Sequence, residues 1–467
     1  MIALTLAEVA EAVDGRLAGV ATPYAAVTGT VEFDSREVGP GGLFVALGGE
    51  RADGHDFAAA AVTAGAVGVL AARSVGVGVP AVVVPDVQVA LGRLAHEVLH
   101  RLPRITVVGL TGSSGKTSTK DLLAHVLGHH GRTVAPPGSF NNEIGHPHTV
   151  LRAGPDTRYL VLECSARAPG HIAALCAIAP PRIGVVLNVG TAHLGEFGSR
   201  AAIAASKAEL VRALPAGDGV AVLNADDPIV AAMAQATAAR VLTVGRADDA
   251  IVRAENVELD DAGRPSYTLV CPGGRSAVRL GLYGAHHVGN SLAAAAVALE
   301  VGMGVAEVAA ALGTARPASR WRMEVTDTDD GVRVVNDAYN ANPESMAAAL
   351  RALAAMAAGR RSWAVLGEMA ELGEHGPAAH VEIGRLTAEL GVDRLVAVGP
   401  IARAILEGAS GLAGEPVADV AAAVELLRRE VRPGDVVLVK ASRSAGLERV
   451  ASDLLASEQP AAAGVLP

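Results

Sequence analysis

The stretch ITVVGLTGSSGKTSTKDLLAHVL, residues 105–127, decides the fold. Residues 105–110 form a short apolar, β-branched run that reads as a buried strand, and helical spacing begins at Ser118. Between them lies TGSSGKT (111–117), a turn of glycine and serine. Such a turn aims backbone N–H groups and the positive end of a helix dipole at one point, which suits phosphate. Gly112, Ser113, Ser114 and Gly115 supply the cradle, Lys116 a point charge, and Thr117 and Ser118 the helix opening. The Thr117 hydroxyl is placed to ligate Mg²⁺. The general G-x-x-x-x-G-K-[ST] pattern is incomplete, because its first glycine falls on Leu110.

Outward from this unit the same rhythm continues. Apolar runs at 159–162, 183–187, 220–223 and 241–244 alternate with helical segments, which predicts an α/β fold with a mostly parallel sheet and a P-loop ATPase-like centre. The rhythm returns at 363–366, 394–398 and 436–439, predicting a smaller C-terminal Rossmann-like domain. Residues 58–72 read as a helix followed by a buried strand, and Leu102-Pro103-Arg104 and Arg316-Pro317-Ala318-Ser319 as joints. Three domains are expected, over 1–103, 104–317 and 318–457, with a disordered tail at 458–467.

Composition bounds the function. A 467-residue chain that is 51% hydrophobic can bury a large core, and with 3% aromatics that core is Ala, Val and Leu. A net charge of −10 opposes general nucleic-acid binding. No run reaches the ~18 apolar residues of a membrane span. Cys164, Cys176 and Cys271 cannot form a disulfide framework, and the N-terminus carries acidic residues rather than a signal peptide's positive charge. A soluble, cytoplasmic, monomeric protein acting on small molecules is expected.

Of 39 basic residues only Lys116, Lys120, Lys207 and Lys440 are lysines. Where a surface charge suffices arginine has been accepted, so a retained lysine marks a need for a compact or neutralisable amine. Lys120 reads as a solvated helix residue. Glu163 is delivered at the end of the 159–162 run, where open parallel sheets bind ligands, and can hold a nucleotide's Mg²⁺. His193, on a loop after the next strand, is a second candidate ligand. Ser199 can cap a helix on which Ile203, Lys207, Leu210, Val211 and Leu214 share one face. Lys207 is then either a snorkelling lysine or a neutral amine open to carbamylation by CO₂.

Together TGSSGKT (111–117), Glu163, NVGTAHL (188–194) and SKAEL (206–210) resemble the Mur ligases, ATP-dependent amide-forming enzymes of peptidoglycan synthesis. DSR (34–36), NNEIGHP (141–147), ECSAR (163–167), NADDP (224–228), WRME (321–324), NDAYNANPESM (336–346), LGEMAELG (366–373) and KASRS (440–444) extend the likeness along the chain. The resemblance implies a UDP-sugar domain, a central ATP and metal domain, and a C-terminal domain that closes over ATP. It implies that UDP-N-acetylmuramoyl-tripeptide and D-alanyl-D-alanine are joined through an acyl phosphate, with ATP as co-substrate and two Mg²⁺ ions.

By the same resemblance Thr117, Glu163, His193 and carbamylated Lys207 are the metal ligands, and Lys116, Lys207, His193 and Glu163 the catalytic set. Asn290, Arg320, Asn336, Asp337, Tyr339 and Asn340 join the phosphate loop in binding ATP. Ser35, Arg36, Asn141, Asn142, Arg167, Lys440 and Arg443 contact the other substrates. His287 departs from the family's usual asparagine in G-x-H-N-x-x-N, leaving Asn290 as the firmer nucleotide contact. Two alternatives are a sister ligase adding a single amino acid and a non-catalytic P-loop regulator. The sister's acceptor signature D-N-P-[RK] is absent, as is a guanine-reading N-K-x-D.

Overall fold

The computed structural model describes residues 1–19, 24–49 and 52–456; the expected tail at 458–467 lies outside them. Three α/β units follow one another. Nearest the N-terminus, a five-stranded sheet is built from strands between Arg16–Ala18 and Ala81–Val83. Within it, Ala58–Ala64 is a helix and Ala66–Ala71 a strand, as the sequence predicts for that Ala/Gly-rich run.

The central sheet has nine strands. Strand Thr106–Thr111 lies between Tyr159–Glu163 and Ile183–Val186, and all three are parallel. Their carboxyl ends therefore open onto one edge, where ligands of open parallel sheets bind. Val220–Asn224, Arg240–Gly245 and Val252–Leu259 continue the parallel run. An antiparallel extension, Val252–Leu259 with Pro265–Cys271 and Gly274–Arg279, was not foreseen. Its first strand buries only Val252 and Ala254 and turns glutamates outward, so it carries no apolar run to read.

Helix His287–Glu300 is buried on nearly every side, its Ala293–Ala298 stretch almost wholly inaccessible. Alanine's small side chain lets it lie between the sheet and the phosphate-loop helix Lys116–Gly128 within one apolar core. A second core covers the other face, under helices His171–Ile178 and Arg200–Arg212.

The C-terminal sheet has six strands, ordered Glu324–Asp327, Arg333–Asn336, Val436–Lys440, Ser362–Leu366, Arg394–Val398 and Ala413–Val417. Only the first pair is antiparallel. The loops after Asn336, Leu366 and Lys440 thus share one edge, and that edge faces the phosphate loop. No described helix is long and apolar enough to cross a membrane.

Candidate active site

The phosphate loop is held from behind before any ligand is considered. Gly115 adopts φ +78°, and a Cβ there would lie 2.7 Å from Asn290 Oδ1, so only glycine permits this approach. Asn188 braces the loop twice: its Oδ1 accepts from Ser114 N at 2.9 Å and its Nδ2 donates to Ser114 O at 3.1 Å. Gly190 N donates to Ser113 Oγ at 2.9 Å. Lys116 Nζ folds back onto Gly112 O at 2.7 Å. Burial pushes its pKa down, and the carboxylate of Glu163 opposes that shift.

Glu163 ends its strand inside the cleft, 1% exposed. Thr117 Oγ1 donates to one of its oxygens at 3.1 Å and Asn141 Nδ2 to the other at 2.8 Å. Asn141, expected at substrate, thus also sets the Glu163 carboxylate. Asn142 Oδ1 accepts from Gly145 N at 2.9 Å and turns the chain into helix Gly145–Leu151.

Ser199 caps helix Arg200–Arg212 through Ala202 N, and Ile203, Lys207, Leu210 and Val211 are buried on it, as the helical spacing requires. Lys207 has no hydrogen-bond or ion-pair partner among the described residues. Burial, helped by the charge of Lys116, brings its amine down to about 7. The snorkelling alternative needs an ammonium in water, and this side chain is 8% exposed.

His193, with φ +62°, turns toward the C-terminal domain. Its Nδ1 lies 2.6 Å from Glu371 Oε2, without the alignment of a good hydrogen bond. That contact holds the Glu371 carboxyl below the ordinary carboxylate range. His193, Glu196 and Glu371 each offer one ligand atom within 4.8 Å of the others. Glu371 was assigned no role from sequence, although it stands in a motif quoted for the resemblance.

Across the cleft, Lys440 is 2% exposed, bonded to Asp337 Oδ2 at 2.6 Å and to Asn340 O at 2.8 Å. Expected at substrate, it secures the Asp337–Asn340 loop and also lines a pocket beside it. Tyr339 hydrogen-bonds Ser139, and Asn336 Oδ1 accepts from Ala338 N at 3.3 Å, a cap within its own loop. Arg320 is exposed and partnerless among the described residues. Two positions on, Arg322 donates to Thr117 Oγ1 at 3.2 Å and lies 4.1 Å over the Tyr339 ring. Sequence reasoning missed Arg322, although WRME contains it.

Neither Ser35 nor Arg36 lines the main cleft, a space of about 1120 Å³; Arg36 is exposed and pairs with Asp34 at 2.6 Å. Phe33 reaches the cleft instead. Arg167 stands exposed 3.6 Å from Glu371, and Arg443 lies 4.4 Å over Trp321. An adjoining pocket is lined by Asn188, Asn224, His286, Asn290, Asp337 and Lys440. His287 lies outside it, its ring 4.3 Å from that of His286, and burial keeps both imidazoles neutral, His286 at about 4. The expectation for Lys120 fails: it is 2% exposed, its ammonium spent on internal acceptors.

The two edges touch directly. Thr191 N and Oγ1 donate to Glu344 Oε1 at 2.8 and 3.0 Å, and Asn342 Nδ2 reaches Ser113 O at 3.3 Å. A Cβ on Gly190 would lie 2.4 Å from Glu344 Cδ, so a larger residue there would push this carboxylate aside.

Three family models match in order: the Mur ligase family catalytic domain at residues 29–98, the Mur ligase middle domain at 110–298, and the Mur ligase glutamate ligase domain at 321–443. The chain is 56% identical to the UDP-N-acetylmuramoyl-tripeptide–D-alanyl-D-alanine ligase of Mycobacterium tuberculosis, over 98% of this chain and 99% of that one. It superposes on MurF from Acinetobacter baumannii with a TM-score of 0.87 at 31% identity, covering 97% and 99% of the two chains. MurF ligase from Thermotoga maritima in complex with ADP gives 0.80 at 31% identity, covering 93% and 99%.

Proposed function

Because this chain belongs to the Mur ligase family, we propose that it joins D-alanyl-D-alanine to UDP-N-acetylmuramoyl-tripeptide, converting ATP to ADP and phosphate. The observation that carries this reading is the meeting of two sheet edges over one phosphate loop. Lys116, Thr117, Glu163, His193 and Arg322 stand on or beside that loop, and Glu371 closes on it from the far side. Neither a sister ligase nor a regulator is favoured by the relatives this chain resembles.

Amide formation from a carboxylate needs a better leaving group than oxide. The tripeptide carboxylate attacks the γ-phosphorus of ATP, giving an acyl phosphate and ADP. The dipeptide amine then attacks the acyl carbon, and the tetrahedral adduct expels phosphate. Two anions must meet in the first step, inside a protein of charge −10. Lys116, the loop amides and Arg322 supply local positive charge at the transferred group. Lys440, neutralised by Asp337, supplies none and shapes the nucleotide loop.

The donor set fits divalent magnesium. A threonine hydroxyl and a carboxylate already 3.1 Å apart are the hard oxygen ligands that ion prefers. Thr117 and Glu163 would hold one ion, and His193 with carbamylated Lys207 the other. Lys207's lack of a partner suits a neutral amine that becomes an anionic carbamate, with loss of a proton, only after CO₂ adds. Bound there, magnesium would neutralise phosphate charge and orient the attacking carboxylate. We place the reaction in the cytoplasm, in keeping with three free cysteines.

Phosphate release from ATP with UDP-N-acetylmuramoyl-tripeptide, with and without D-alanyl-D-alanine, tests the reading when product mass is scored alongside. Dipeptide-dependent release with one D-Ala-D-Ala unit added is expected. Release supported only by a single amino acid on a shorter precursor would refute it.

A further inference from the structure

Lys120 and Asp121 lie one turn beyond Lys116 on the phosphate-loop helix and take no part in the site described above. Lys120 Nζ donates to Pro136 O at 3.0 Å and to Ser319 Oγ at 3.4 Å, and it pairs with the Asp121 carboxylate. An ammonium has three protons, and here each has an acceptor. The Asp121 carboxylate meanwhile accepts from Ser319 N at 3.1 Å. Ser319 is thus gripped at both its hydroxyl and its backbone by neighbouring residues of one helix.

Ser319 belongs to the segment joining helix Val305–Thr314 of the central domain to strand Glu324–Asp327 of the C-terminal one. Arg322 follows three residues later, and three residues span at most ~11 Å. Fixing Ser319 therefore limits where the Arg322 guanidinium can go, and it goes to Thr117 Oγ1 and the Tyr339 ring. Pro136, the other acceptor, opens onto the loop that carries Ser139 and Asn141. In a chain of 35 arginines, this position retains a lysine because a compact three-proton donor fits these three acceptors and a planar fork does not.

We propose that the Lys120–Asp121 pair is a positioning device for the ligase reaction: it anchors the interdomain linker at Ser319 so that Arg322 is delivered to the phosphate loop. The inference rests on the ligase reading. It assigns Lys120 no contact with ATP; its effect passes through Arg322.

The test is a double-mutant cycle on the full-length chain, with ATP, UDP-N-acetylmuramoyl-tripeptide and D-alanyl-D-alanine and with Tm recorded for every variant. Lys120→Met is expected to lower kcat about tenfold or more, leaving KM for D-alanyl-D-alanine within about twofold. In an Arg322→Ala background the same change should cost less than about twofold, because the group it positions is gone. Ser319→Ala, at the other end of the grip, and Asp121→Asn, a milder change beside Lys120, should show the same non-additivity at about threefold. They decide the matter if Lys120→Met does not fold. Losses that multiply fully with Arg322→Ala, or that follow Tm alone, would overturn the proposal. A wild-type chain that turns over none of these substrates would instead overturn the ligase reading beneath it.

Discussion

The carboxyl edge of the central sheet and that of the C-terminal sheet present polar side chains to one cleft, but they hold them by different means. On the central edge, Glu163 is set by Thr117 and Asn141, and the loop by Asn188, all from the same domain. That edge is complete in itself. On the C-terminal edge Arg322, Glu344 and Glu371 reach across to the opposite lobe, at Thr117, Thr191 and His193, and Arg322 also lies over Tyr339 of its own edge. These cross-cleft contacts exist only while the domains are together. The central edge is preorganised within one domain; the C-terminal edge is a conditional one, dependent on contacts across the cleft.

This contrast orders the expected effects. Lys116→Met strikes the preorganised edge and should lower kcat by about 10²–10³, the scale for deleting one electrostatic donor, with Tm unchanged or raised. A fall in Tm that accounts for the lost rate would make Lys116 structural. Lys207→Ala should cost about 10²-fold, the scale for disturbing a metal shell, and a short carboxylate such as acetate should restore part of it.

The pH dependence follows from the Lys207 amine, which burial brings to about 7. Carbamate formation needs the neutral amine, so activation of the wild type by added CO₂ should strengthen as pH rises through 7 and fade below it. Between pH 7 and the ordinary lysine value of 10.5, the unfolded chain holds a proton the folded one lacks. With CO₂ excluded, the Lys207 contribution to stability should therefore rise with pH across that window. Absence of both acetate rescue and CO₂ dependence would remove the carbamate from the account.

On the conditional edge the effects should be smaller and should appear as altered closure. Glu371→Gln removes a charged contact with His193 and should cost about tenfold in kcat, with a larger radius of gyration for the ADP complex by small-angle scattering. Thr191→Val removes the hydroxyl donor to Glu344 while keeping the backbone one, and should cost about 1 kcal/mol of closure, read the same way. If either matched the Lys116 variant, the C-terminal edge would be as preorganised as the central one. The smallest effect is expected at Arg36, whose side chain reaches only Asp34 in solvent: Arg36→Ala should leave Tm and kcat unchanged and move only KM for the UDP-substrate.

Residues with a local cause were legible. The phosphate loop, the strand-end Glu163 and the buried face of the Lys207 helix follow from short apolar runs, from a spacing of 3.6 residues and from where a parallel strand ends. The first strand of the antiparallel extension was not, since it faces solvent with glutamates and has no apolar run. Lys120 misled because its charge suggests solvent: on its helix it shares a buried face with Leu123 and Leu127, and the acceptors that satisfy it there, Pro136 and Ser319, come from elsewhere in the chain. Lys440 was rightly singled out as unusual, yet its partner Asp337 lies about a hundred residues away and makes it an anchor.

By itself, then, the order of residues determined the three α/β units in outline, the nucleotide loop and the family. These depend on short-range periodicity and on motifs whose backbone geometry is local. Which cation meets phosphate and which meets another side chain was decided by the folded chain. That choice turns on distances between residues far apart in sequence. Burial there makes every unpaired charge costly, so Lys120 and Lys440 are paired with carboxylates, while among the described residues Lys116 has only the carbonyl of Gly112 and Lys207 no partner.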